Sequence, residues 1–118
     1  KTYAEIASDS TSWGNYYNNS FTYYTDTSKN TATKASSKSV IIPSGAYEGT
    51  NANNVYDLAG NVDDWTLESD DSGTSDHRYY RGGDFYGYGS YYPAGGRYDN
   101  DLYYKYNSVG LRCSLFIK

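Results

Sequence analysis

The sequence predicts a small, loop-rich α+β domain of short strands with one or two helices. Three observations predict it. The hydrophobic fraction of 37% rests largely on 17 tyrosines, so aliphatic residues are sparse and the core must be small and aromatic. Twelve glycines, with many Ser, Thr, Asn and Asp, mark frequent turns between short elements. The 118 residues suit a single domain, 1–118, and no apolar run approaches the length of a membrane span.

The elements follow in order. Residues 1–12 carry a helix-like pattern, with Tyr3, Ala4, Ile6 and Ala7 on one face. Residues 13–38 interleave Tyr16, Tyr17, Phe21, Tyr23 and Tyr24 with polar residues. They read as a strand or ordered loop and then a solvated stretch holding Lys29, Lys34 and Lys38. Val40-Ile41-Ile42 is a β-type run stopped by Pro43 and Gly45. Asp57 to Gly60 makes a turn, and Val62 to Leu67 reads as a strand with Trp65 inward. A hydrophilic loop from Ser69 to His77, with Gly73 at its tip, leads into a strand from Arg78 that ends in a glycine pair. One of Tyr79 and Tyr80 faces inward by alternation. At the end of the chain Leu111, Cys113, Leu115 and Ile117 alternate with other residues, a strand pattern that makes Cys113 a buried structural thiol.

Between the last two strands lies a stretch of 23 residues, 86–108, too long for an idle connection in a compact domain. Ten of the tyrosines fall between Tyr79 and Tyr106, among Gly, Ser, Asn and Asp. Tyrosine offers a large, rigid, amphipathic contact surface, and its small polar neighbours offer adaptable hydrogen bonding, the composition of an antibody combining loop. A core has little use for so many phenols, because each buried hydroxyl needs a partner. The other origin of such a composition is a small aromatic core with hydroxyls reaching solvent.

Net charge is −4, which argues against nucleic acid as a partner, since phosphate binding needs a basic footprint. Cys113 is the only cysteine, so an intrachain disulfide and a thiol-pair metal site are both excluded. His77 stands alone in a polar stretch and reads as solvated, and no nucleophile–base pair is evident. The chain is expected to act without catalysis. Starting at Lys1 and lacking methionine, it reads as the C-terminal part of a longer protein.

Three landmarks then stand in order: D-L-A-G-N-V-x-x-W-T from Asp57, R-x-x-R-G-G-x-F from Arg78, and V-G-L-R-C from Val109. Together they resemble the sulfatase-modifying, formylglycine-generating enzyme-like domain over residues 55–118, whereas residues 1–54 carry no landmark of that family. The resemblance implies a C-type lectin-like fold with short twisted antiparallel strands. It also implies a copper-binding cysteine pair, whose positions are taken here by Gly87 and Tyr92. It places a calcium site in the D-x-x-G-x-V-x-E pattern, matched by Asp57, Gly60, Val62 and Asp64, with Asp64 in place of glutamate and Asp63 in place of tryptophan. Hard oxygen ligands suit that cation. The other reading of the same residues is a metal-free turn with Asp57 as its hydrogen-bonding residue, and no cofactor is then required. Arg81 and Arg112 are expected to bond backbone and carboxylates inside the fold.

The chain is also similar to the variable proteins of diversity-generating retroelements, which use this fold and concentrate variation near the C-terminus. Variation there arises at adenines of AAC-type codons, which cannot yield Lys, Glu, Gln, Met or Trp. Residues 84–108 contain one residue of that set, Lys105, where ordinary composition would put roughly five. The resemblance implies a candidate variable region, 84–108, with Asp84, Tyr86, Tyr88, Tyr91, Tyr92, Tyr98, Asn100, Asp101, Tyr103, Tyr104 and Tyr106 as ligand-binding positions. The expected function is a display domain of a phage tail or bacterial cell-surface protein. It would recognise a protein or cell-surface ligand without entering the membrane, and multivalent presentation would suit a homo-oligomer. The alternatives are a relative of the oxidase that lacks the catalytic cysteines, and a glycan-binding lectin-like module.

Overall fold

The computed structural model describes residues 2–25, 32–35, 40–69, 76–101 and 103–113. The expectations for Lys29, Lys38, Gly73, Leu115 and Ile117, and for the side chain of Tyr3, lie outside the described residues.

The chain opens with helix α1, Tyr3–Ser8. Thr2 and Glu5 form its capping box: the Thr2 hydroxyl accepts from the Glu5 N–H, and the Thr2 N–H donates to Glu5 Oε2 at 2.6 Å. Among the described side chains of the expected apolar face, Ile6 is half-buried and Ala4 and Ala7 are exposed. A 3-10 turn, Thr11–Trp13, leads to Tyr16, whose side chain is the largest that is fully buried among the described residues. Its hydroxyl donates to the Gly82 carbonyl at 2.6 Å, so the buried phenol is satisfied.

β1, Phe21–Tyr24, pairs antiparallel with β2, Ala32–Ala35, in the register Phe21↔Ala35 to Tyr24↔Ala32. Part of the stretch expected to be solvated is therefore a strand, with Lys34 paired to Thr22. Phe21 stacks on Tyr47 at 4.1 Å and 15°, and with Ile42 and Ala46 it forms a small core.

The run Val40-Ile41-Ile42 is not a strand, which corrects the expectation from its β-branched residues. Its partner is a side chain. Asn61 Oδ1 accepts from the Ile42 N–H at 3.0 Å, and Asn61 Nδ2 donates to the Ile42 carbonyl at 3.0 Å. One carboxamide thus supplies both bonds that a neighbouring strand would make. Ile42 is buried by this docking, while Val40 and Ile41 stay exposed.

The second sheet has four strands. β3, Asp63–Ser69, and β4, His77–Arg81, are antiparallel, with an irregularity between Trp65 and Ser69. β5, Tyr98–Asp101, adds antiparallel to β4, and β6, Val109–Gly110, adds parallel to β3. Three corrections follow. The stretch 86–108 is not structureless, because β5 lies within it. The sheet is mixed rather than purely antiparallel. The terminal strand is two residues long, and Leu111 and Cys113 are exposed, so Cys113 is not a buried thiol. Trp65 is half-buried and meets Tyr80 edge-on at 5.6 Å. Tyr79 lies on the other face, under the Arg97 guanidinium at 4.2 Å. His77 is not simply solvated, since its Nδ1 lies 2.8 Å from Asp99 Oδ2 on β5.

β4 ends where the backbone turns left-handed, at Gly82 (φ +110°) and Gly83 (φ +76°). A Cβ on Gly83 would lie 2.4 Å from the Tyr92 carbonyl oxygen and 2.6 Å from the Tyr16 ring. Both conformation and space therefore require glycine there. This close approach fixes where the tyrosine-rich segment leaves the sheet.

Candidate functional site

The segment after Gly83 is held by main-chain bonds. Tyr17 N–H donates to the Gly87 carbonyl at 2.9 Å, Ser10 N–H to the Gly89 carbonyl at 3.0 Å, and Gly95 N–H to the Ile6 carbonyl at 2.9 Å. The buried Ser10 hydroxyl accepts from the Ala94 N–H at 3.0 Å. Within the segment, burial alternates. Phe85, Gly87 and Gly89 are buried, whereas Tyr86 and Tyr88 are exposed. The backbone course is therefore set by groups that do not depend on the identity of the exposed side chains.

Tyr86, but not Tyr88, helps enclose a cavity of about 230 Å³. Asp63 and Ser108 are buried lining residues, and Tyr80 and Val109 also line it. Asp84, Tyr86, Gly87 and Tyr92 form one side, and Tyr104 and Tyr106 contribute another part of the wall. The last two rings stack at 4.9 Å and 7°. Gly87 makes room here, because a Cβ on it would lie 2.9 Å from the Tyr92 ring. The two positions that the family gives to cysteine thus border the same cavity.

Five of the eleven sequence-predicted ligand positions line it: Asp84, Tyr86, Tyr92, Tyr104 and Tyr106. Asp84 also holds the turn that follows, its Oδ1 accepting from the N–H groups of Tyr86 and Gly87 at 3.0 and 2.8 Å. Tyr88 and Tyr91 lie to one side in an aromatic row with Tyr17, at centroid distances of 5.4 and 5.8 Å. Tyr98 packs between Tyr80 and Tyr92, and its hydroxyl donates to the Tyr91 carbonyl at 2.7 Å. Asn100 and Asp101 lie on β5, and Asp101 Oδ1 accepts from the N–H of Tyr103, a 79% exposed residue outside the cavity.

Asp63 was legible only as a departure, an acid where the family pattern has an indole. It is 94% buried, counted from its 6% exposure, and lines the cavity. Its Oδ1 accepts from the Gly83 N–H at 2.7 Å, and its carboxylate makes no other hydrogen bond among the described residues. Burial, with the negative charges of Asp84 and Asp64 adding to it, pushes its carboxyl up to about 7 despite that bond. Burial and then the Asp63 charge push the Tyr80 phenol up to about 12. A carboxyl so displaced, in a cleft, makes Asp63 a functional-site candidate on physical grounds.

The turn matched to the calcium pattern divides its donors. Asp57 Oδ2 accepts from the Ser44 hydroxyl at 2.7 Å and the Gly45 N–H at 3.0 Å, which leaves Oδ1 buried without a partner. Asp64 Oδ2 accepts from Arg112 Nε at 2.9 Å, and the same guanidinium donates to the carbonyls of Tyr56 and Asp57. A fixed positive charge already gathers the oxygens that a dication would need. We propose that Arg112 takes the place of calcium at the turn of Asp57, Gly60, Val62 and Asp64. Millimolar Ca²⁺ is expected to leave the melting temperature unchanged, and a rise that EDTA reverses would overturn the proposal. Arg112 thus bonds backbone and carboxylate, as does Arg81, which holds Glu68 at 2.9 Å and the Gly95 carbonyl at 3.2 Å.

A short helix, a mixed four-stranded sheet and a long cleft-forming segment between β4 and β6 define a C-type lectin-like domain of the formylglycine-generating enzyme-like type. The chain belongs to the family described as "Sulfatase-modifying factor enzyme 1-like domain", matched over residues 1–115, so the match extends well upstream of the landmarks. The solved structure of "Treponema denticola variable protein 1" has a similar fold, with a TM-score of 0.56 and 19% identity. The similarity spans 93% of this chain and 37% of that one, so the chain covers little more than a third of that protein's length. Comparison with curated proteins finds no match. Among the described residues no helix is long and apolar enough to cross a membrane.

Proposed function

We propose that this chain is a ligand-binding display domain whose tyrosine-lined cleft and adjoining rim recognise a protein or cell-surface target. The observation that carries this reading is the cleft itself. Where the family pattern calls for a cysteine pair, the wall is Gly87 and Tyr92, surrounded by Tyr86, Tyr104 and Tyr106. Those residue types provide contact area and hydrogen bonding but no thiol for copper or redox chemistry. The only cysteine, Cys113, does not line the cavity.

We further read the domain as a variable protein of a diversity-generating retroelement, carried by a phage tail or bacterial surface protein. Main-chain anchoring of residues 87–95 supports this, because exposed side chains there can change without loss of the bonds that hold the loop. The test is the flanking DNA. A near-copy of the coding segment for 84–108 beside a reverse transcriptase gene, differing at template adenines, is the expected finding. Codons at Tyr86, Tyr88, Tyr91 and Tyr92 that do not derive from AAY would remove the diversification reading.

A further inference from the structure

We propose that the cleft receives a cationic group, the ammonium, methylated ammonium or guanidinium end of a basic side chain of the target, seated among the tyrosine rings and against Asp63 and Asp84. The inference rests on the reading of this cleft as a binding site and names the chemistry of what it binds.

Four observations converge on it. First, size: about 230 Å³ is below the roughly 300–1,000 Å³ of drug-sized pockets and suits one extended side chain. Second, the walls: Tyr86, Tyr92, Tyr104 and Tyr106 border the space, and a cation is drawn to the negative face of such rings. Third, charge: Asp63 and Asp84 line the cavity, and no described lining residue is Lys, Arg or His. Arg81 and Arg97 are engaged with Glu68 and Arg112 with Asp64, and Lys105, between Tyr104 and Tyr106, is exposed and does not line the cavity. Fourth, Asp63 is almost wholly buried yet makes a single hydrogen bond, leaving acceptor capacity at the cavity. Among the described residues the buried side-chain oxygen without a partner is Asp57 Oδ1, so the free Asp63 oxygen is one that solvent reaches from the cavity and a ligand can meet. A cation arriving from outside pairs with it and relieves the repulsion between Asp63 and Asp84.

An apolar or anionic group would do neither. It would leave the carboxylates unpaired or add a third negative charge.

The test is an NMR titration of the 118-residue chain with Nα-acetyl-lysine N-methylamide, its Nε-trimethyl form and Nα-acetyl-arginine N-methylamide. Nα-acetyl-norleucine N-methylamide serves as the uncharged control. The cationic probes are expected to shift the amides of Gly83, Gly87 and Ser108 and to saturate. The norleucine probe is expected to bind at least tenfold more weakly. Asp63→Asn keeps an acceptor for the Gly83 N–H and is expected to weaken the cationic probes at least tenfold. Tyr106→Leu, at a residue 56% exposed, is expected to weaken them about fivefold. Equal binding of the norleucine probe would overturn the cation assignment while leaving a binding cleft in place. So would unchanged affinity in both variants. No shift with any probe at 50 mM also overturns the assignment, and the display reading then stands or falls separately on the flanking DNA.

Discussion

Asn61→Ala is expected to lower the unfolding free energy by about 4 kcal/mol in urea titrations at pH 7, a large share of the roughly 5–15 kcal/mol typical of a domain. Asn61 is buried at a left-handed φ of +72° and reaches two segments distant in sequence. Its carboxamide satisfies both the N–H and the carbonyl of Ile42, and its Oδ1 also accepts from Asn15 Nδ2 at 3.1 Å. Truncation strands buried main-chain groups of Ile42 that have no strand to turn to. Each such loss costs about 1–3 kcal/mol, and alanine adds strain at positive φ. Asn61→Gly removes the bonds without the strain and is expected to lose about 3 kcal/mol. A loss below about 1 kcal/mol in both variants would mean that the Ile42 segment is held by other contacts.

Asp63→Asn is expected to act in the opposite direction, with a strong dependence on pH. The folded carboxyl is pushed up to about 7, against 3.8 for the free group, chiefly by burial. A carboxyl that holds its proton more tightly when folded favours the folded state fully below the lower value. That contribution is lost as pH rises from there through about 7. At pH 9 the ionised, buried carboxylate therefore costs on the order of 4 kcal/mol. The asparagine variant escapes this, so it should match the parent near pH 4 and exceed it in stability at pH 9. Parallel stability profiles for the two proteins from pH 4 to 9, followed by urea unfolding, would show that Asp63 is not held in the proposed state. The expected result has a functional meaning. A residue that weakens the fold at neutral and higher pH, on the wall of the cleft, is a common cost of function.

Much of the scaffold was legible because it obeys local rules. The D-L-A-G-N-V turn needs left-handed residues, which Asp57, Gly60 and Asn61 supply. The R-G-G step ends β4 because Gly82 and Gly83 leave the β region. The alternation of exposed tyrosine with buried glycine after Phe85 is likewise written in the chain. Elements that depend on a distant partner were not legible. Val40-Ile41-Ile42 has strong β propensity but meets a side chain instead of a strand. β5 is built from Tyr98-Asp99-Asn100-Asp101, and Asp and Asn are poor strand formers, so it exists through its pairing with β4.

The same division applies to the cleft. The sequence by itself determined the chemistry available: tyrosines in place of the cysteine pair, a net negative charge and an acid at position 63 where the family pattern has an indole. Only the tertiary structure decided which of these meet. It drew Tyr104 and Tyr106 to the cavity that Tyr86 and Tyr92 border, and left Tyr103 outside. It set Tyr98 into the packing between Tyr80 and Tyr92. It also buried Asp63 beside them with a single hydrogen bond. The physical reason is that burial and shared electrostatic field belong to positions in space. Here those positions follow from long-range main-chain bonds, from Tyr17 to Gly87 and from Asp63 to Ser108, that no local sequence pattern specifies.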